Sequence, residues 1–152
     1  VPEASILVIG YGNPGRQDDG LGPAAIEAID AMNLPGIETS SNYQLMIEDA
    51  SDIAVCAGVV FIDASKTGDE PYTVAPVVPA INVSCFASHV VPPELVMGLC
   101  REIYGRSPPA HLVGIRGYEF AFSEGLTGGA RANLAFAVAR LRVLLDGSPV
   151  FS

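Results

Sequence analysis

A chain of 152 residues suffices for one domain with a single core, and leaves no room for a separate substrate domain beside it. Its 49% hydrophobic and 16% charged residues suit a parallel sheet covered on both faces, while a net charge of −9 with only 8 basic residues excludes nonspecific nucleic-acid binding, because a phosphate backbone would be repelled. The longest apolar run, Val55 to Ile62, is broken by Gly58 and falls far short of the ~20 residues that span a bilayer, so neither a membrane segment nor a signal peptide is expected.

Taken in order, the chain alternates strands and helices over one domain, residues 1–152, without repeats or linkers. A buried strand is predicted over Ser5 to Ile9, and the glycine turn after it delivers two adjacent carboxylates, Asp18 and Asp19, to a helix start. That helix is predicted from about Gly20 to Asn33, with Leu21, Ala24, Ala25, Ala28, Ile29 and Met32 on one face and Pro35-Gly36 as its stop. A short strand near Ile37 to Ser41 follows, then a helix over about Gln44 to Val55 carrying Leu45, Met46, Ala50 and Ile53, closed by Gly58.

Val59-Val-Phe-Ile-Asp63 reads as a buried strand ending in a carboxylate, with a polar loop from Ala64 to Glu70 after it. Tyr72 to Val78 is bounded by prolines and suits an edge strand, since proline cannot donate to a ladder. The loop Ile81 to Val91 leads to a helix opened by Pro92-Pro93, with Leu95, Val96, Leu99, Cys100 and Ile103 on one face. A strand over Leu112 to Arg116 and a last helix over about Gly128 to Leu145, with Leu134, Val138, Leu141 and Leu145 at helical spacing, complete the series. The expected fold is α/β, a three-layer arrangement with a mostly parallel, twisted five-stranded sheet and helices on both faces. Cys56, Cys85 and Cys100 are odd in number, lack metal-ligand spacing and fall in apolar surroundings, which reads as reduced intracellular thiols.

Gly10-Tyr-Gly-Asn-Pro-Gly15 satisfies the dinucleotide pattern G-x-G-x-x-G, but the match carries no nucleotide site. Pro14 lacks an N–H, Arg16-Gln-Asp-Asp19 continues as polar loop, and two carboxylates would repel a pyrophosphate. Glu38-Thr-Ser-Ser-Asn42 also lacks the acidic residue that would hold a ribose at the end of the second strand.

Three metal-competent side chains fall at comparable places: Asp19 after the first strand, Asp63 at a strand end, and His89 in the loop before a helix. In an open α/β sheet such positions lie along one rim, where two carboxylates and an imidazole suit a divalent transition metal such as nickel or zinc better than magnesium. Capping a turn, for the aspartates, and lying at the surface, for the histidine, are the alternatives.

The ordered series Gly10-Tyr-Gly-Asn13, Asp18-Asp19-Gly-Leu-Gly22, Tyr43-Gln44-Leu45, Phe61-Ile-Asp63-Ala64, Ser88-His89 and Gly125-Leu126-Thr127 resembles the motifs of the hydrogenase maturation endopeptidases, from about residue 5 to residue 140. The resemblance implies a cytoplasmic peptidase that removes the C-terminal extension of a nickel-iron hydrogenase large-subunit precursor after nickel insertion. By position it assigns the catalytic and metal-contacting roles to Asp19, Asp63 and His89. It further implies that the nickel is carried by the substrate, with no permanent catalytic metal and at most an adventitious divalent ion at the same site. The expected partner is the large-subunit precursor, with neither nucleic acid nor membrane, and a monomer is favoured. The chain lacks H-E-x-x-H, a Ser-His-Asp order and a recommending Cys-His pair, in line with an unconventional protease.

Asp18 is read first as a favourable charge at a helix N-terminus, with support of the metal ligands or general-base action as the alternative. Asn13 and Gly12 shape the turn, His111 is a strand-edge residue without chemistry, and the loop Ser65 to Glu70 faces solvent at the rim. Ser40-Ser-Asn-Tyr-Gln44 departs from the acidic or glycine-rich segment many of those endopeptidases carry, which bears on substrate contacts and leaves the three ligands untouched. Two other functions compete. A non-cleaving nickel- or metallocentre-binding chaperone could use the same three residues. The G-x-G-N-P-G opening also resembles the peptidyl-tRNA hydrolases, but that family follows it with a basic, His-containing motif where this chain has Arg16-Gln-Asp-Asp19.

Overall fold

The computed structural model describes residues 5–81 and 91–146. Among these residues five strands, β1 (Ile6–Tyr11), β2 (Ile37–Asn42), β3 (Gly58–Ser65), β4 (Tyr72–Pro76) and β5 (Ala110–Arg116), form one sheet in the order β2-β1-β3-β5-β4. β1 pairs in parallel with β2 and β3, β3 pairs in parallel with β5, and β4 runs antiparallel along β5 at the edge. The edge place of β4 is where its terminal Pro76 costs no ladder bond.

Among the described residues four helices cover the sheet: α1 (Leu21–Asp30), α2 (Asp49–Ile53), α3 (Pro93–Tyr104) and α4 (Gly128–Leu145). Strand alternation divides the core into two layers. Leu7, Ile9, Val59 and Phe61 pack with Ala50 and Ile53 of α2 and with Val96, Met97 and Cys100 of α3. Val8, Val60, Ile62, Val113 and Ile115 pack on the other face with Leu21, Ala25, Ile26 and Ile29 of α1 and Ala137, Leu141 and Leu145 of α4. This is the three-layer α/β architecture the alternating pattern predicts. Cys56 and Cys100 are buried free thiols, and Cys85 lies outside the described residues.

Several expectations shift. The helix expected over Gln44 to Val55 is helical only over Asp49–Ile53. The Asp49 carboxylate accepts the Met46 N–H at 2.9 Å and the Asp49 N–H is given back to the Met46 carbonyl, so the chain turns there before it coils. Leu45 is buried while Met46 is exposed, which breaks the helical face the spacing suggested. The first long helix is likewise preceded by a 3₁₀ turn at Gln17–Gly20 and turned so that Gly22, Ala25, Ile26 and Ile29 meet the sheet, leaving Ala24, Ala28 and Met32 half-buried at its flank. Ile103, assigned to the apolar face of α3, is exposed. His111 lies near the amino end of the inner strand β5, in register with Val60 on one side and Pro76 on the other.

The order of the strands fixes where a site can form. From β1 the chain crosses through α1 to β2, then back through α2, on the opposite face, to β3 on the other side of β1. The crossovers therefore diverge between β1 and β3, opening a crevice at the carboxyl ends of those two strands.

Candidate active site

At that crevice β1 runs into Gly12, whose φ of 142° suits glycine and whose missing side chain admits Asp19: a Cβ there would stand 1.9 Å from the Asp19 carbonyl oxygen. Gly22 does the same work for α1, since a Cβ would meet the carbonyl oxygens of Tyr11 at 2.5 Å and Ile62 at 2.7 Å. The two glycines thus bring the start of α1 down onto the ends of β1 and β3. Asn13 closes the turn, its side-chain oxygen accepting the Gly15 N–H at 2.9 Å while its own N–H donates to the Asp19 carboxylate at 2.7 Å.

Asp63 stands at the carboxyl end of β3, one residue beyond Ile62, the partner of Gly10. Its carboxylate accepts the N–H of Ala64 at 2.8 Å. Burial pushes its pKa up to about 7, against the lowering effect of the Ala64 N–H, and the negative charge of Asp19 pushes the same way. The charge of Asp19 is therefore felt at Asp63. His89, the third expected ligand, lies outside the described residues, and among the described residues no three His, Cys, Asp or Glu side chains are grouped to hold an ion.

Tyr11, the last residue of β1, belongs to the same rim and escaped the sequence reading, where it was only a spacer between glycines. Burial, followed by the charges of Asp63 and of Glu94 on the first turn of α3, pushes its phenol far above its ordinary range. It stays a neutral hydroxyl beside the carboxylates. A tyrosine closing the six-residue strand, at the switch point, was the available signal.

Asp18 turns away from the rim and is fully buried. It is neither an exposed helix-terminal charge nor available as a base. Its carboxylate accepts the N–H groups of Tyr118, Glu119 and Thr127 and the Thr127 hydroxyl. Burial pushes its pKa up, but these donors outweigh it and hold the carboxyl below its ordinary value. The 3₁₀ turn is tied to the same segment through Asp18 N–H to the Glu119 carbonyl and Gln17 N–H to the Ser123 carbonyl. Asp18 anchors the turn that presents Asp19.

A cleft of about 200 Å³, lined by Gly12, Pro14, Pro23, Ser41, Asn42 and the exposed Tyr43, adjoins the turn. Beyond β3 the loop Ser65 to Glu70 faces solvent as expected, held by Gly68 N–H to Ser65 Oγ and by Arg116 to the Gly68 carbonyl.

No protein-family model and no curated relative matches the sequence. Solved structures do match the fold. A [NiFe] hydrogenase maturation protease HycI from Thermococcus kodakarensis superposes with a TM-score of 0.74 at 19% identity, over 95% of this chain and 94% of its own. The hydrogenase maturating endopeptidase HybD from E. coli gives 0.73 at 21% identity, over 93% and 91%. An endopeptidase from Escherichia coli gives 0.69 at 24% identity, over 93% and 91%. The resemblance carried by the motifs is thus met by a resemblance in three dimensions, and the chain has the fold of these peptidases along almost its whole length.

Proposed function

We propose that this protein is an endopeptidase of hydrogenase maturation, removing the C-terminal extension of a nickel-iron hydrogenase large-subunit precursor once nickel has been inserted. The observation that carries the reading is that the charge of Asp19 acts on Asp63 at the β1/β3 crevice of this particular fold. Two carboxylates at close range repel one another and gain most from a cation between them. Asp19, Asp63 and His89 are the residues proposed to engage the nickel borne by the substrate, which would hold the scissile bond at the rim. The carbonyl would be polarised there and a water activated, both recognised roles of a bound cation.

Asn13 keeps the Asp19 carboxylate aimed through its N–H, and Tyr11 offers a neutral donor beside Asp63. The test mixes the purified chain with nickel-loaded and with metal-free precursor and follows product mass. Cleavage of the loaded form alone is expected. Cleavage of the metal-free form overturns nickel sensing, and nickel-dependent binding without cleavage makes the protein a metallocentre chaperone instead.

A further inference from the structure

We propose that the groove between α1 and α4, away from the rim, is a docking site for an acidic amphipathic helix of a partner protein. The groove has a volume of about 500 Å³, with Ala28 and Met32 on its α1 wall, Leu134 and Val138 on its α4 wall, and Arg131 and Arg142 on α4 toward its two ends. It exists because both helices spend other residues on the sheet: α1 uses Ala25, Ile26 and Ile29, and α4 uses Ala130, Ala137, Leu141 and Leu145.

A surface helix ordinarily turns a polar face to water. The outward side of α4 instead presents Ala132, Ala135, Phe136, Ala139 and Val143 beside the exposed Arg140, with Phe136 and Val143 each 63% exposed. Such a contiguous apolar face marks an interaction surface.

Charge selects the occupant. α4 contains three arginines and no acidic residue in a chain of net charge −9. The nearest acids of α1 serve elsewhere, Glu27 at a cleft with Pro14 and Leu126, and Asp30 as acceptor of the Thr39 hydroxyl. Among the described residues no carboxylate lines the groove. Arg131 and Arg142 are eleven residues apart, which is about 16 Å along a helix, so a partner helix with carboxylates about three turns apart and an apolar stripe between them matches both ends. A second copy fits worse. Two-fold antiparallel packing of α4 on α4 would set Arg131 against Arg142 of the other copy at each end.

The test uses the full chain and two fluorescent helical peptides of about five turns. They share leucines at i, i+4 and i+7 and carry either glutamates or lysines eleven positions apart. The glutamate peptide is expected to bind saturably, and at least about tenfold more tightly than the lysine peptide. Arg131→Glu/Arg142→Glu should reverse that preference; both side chains are exposed, so the exchange leaves the core intact. Failure of the glutamate peptide to bind, or equal binding of both peptides, overturns the proposal. So does a wild-type dimer in sedimentation that Ala135→Glu dissolves, which would make a second copy the occupant.

Discussion

Asp18 and Thr127, 109 residues apart in the chain, are joined twice: the Thr127 N–H and its hydroxyl each donate to the Asp18 carboxylate at 2.8 Å. The same hydroxyl oxygen accepts the Ala130 N–H at 3.2 Å and so caps α4. One buried carboxylate thereby fixes the turn carrying Asp19, the segment 118–127 and the start of the last helix.

Removing that carboxylate should cost the fold more than the chemistry. Asp18→Asn puts an amide NH₂ against backbone N–H donors and is expected to lower stability by about 2–4 kcal/mol. Thr127→Val should cost about 1–2 kcal/mol through the cap and one bond. The two changes share partners, so their urea-measured effects should fall short of additivity in the double variant. Because the folded pKa of Asp18 is lowered from its ordinary 3.8, its contribution is fully present above about pH 4 and fades as pH falls through the folded value. Additive losses would mean that the two residues act separately.

The layers were legible in the chain because β1 and β3 are short apolar runs closed by glycine and aspartate, and α4 has helical periodicity from Gly128 to Leu145. Periodicity misread the stretch Gln44 to Glu48, where a side chain of Asp49 reaching back to the backbone decides the conformation. The site was legible as positions, with Asp19 after one strand and Asp63 at the end of another. The burial that raises Asp63, and the pairing of Asp18 with residues a hundred positions away, arise only from tertiary packing.

Gly22 makes a second structural prediction. Gly22→Ala would press a methyl group against the Tyr11 and Ile62 carbonyls, which are backbone atoms that cannot rotate aside. Higher intrinsic helix propensity would favour alanine by about 1 kcal/mol, but overpacking of this kind costs about 1–3 kcal/mol or more and should win. Lower stability together with weakened divalent-ion binding is expected, since α1 lifts from the strand ends. A variant more stable than the parent would show that the contact yields.

Asp63 should make stability depend on pH in the neutral range. Its folded pKa of about 7 lies above the ordinary 3.8, so between those values the folded protein retains a proton that the unfolded chain has released. The resulting destabilisation is absent below about pH 4, grows as pH rises and is complete above about pH 7, with a ceiling of about 4 kcal/mol. Asp63→Asn should abolish this slope and exceed the parent in stability at pH 8. Urea midpoints measured from pH 4 to pH 8 check it, and parallel curves for the two proteins would contradict it.

Divalent-ion binding separates the ligand roles from the fold. Asp19→Asn keeps the size of the side chain and its acceptor oxygen for the Asn13 N–H, yet removes the charge that faces Asp63. Melting should therefore change little, within about 1 kcal/mol, while calorimetric affinity for nickel, zinc or cadmium at neutral pH falls at least about tenfold, because the replacement amide is a weaker ligand than a carboxylate. His89→Ala should weaken the same ions comparably by removing the imidazole. In the precursor assay both variants should lose cleavage while remaining folded. Unchanged ion affinity in His89→Ala would take that residue out of the ligand set. Full activity in Asp19→Asn would mean that Asp63, not the pair, engages the substrate's metal, since Asp18 is already committed to Thr127 and buried beyond its reach.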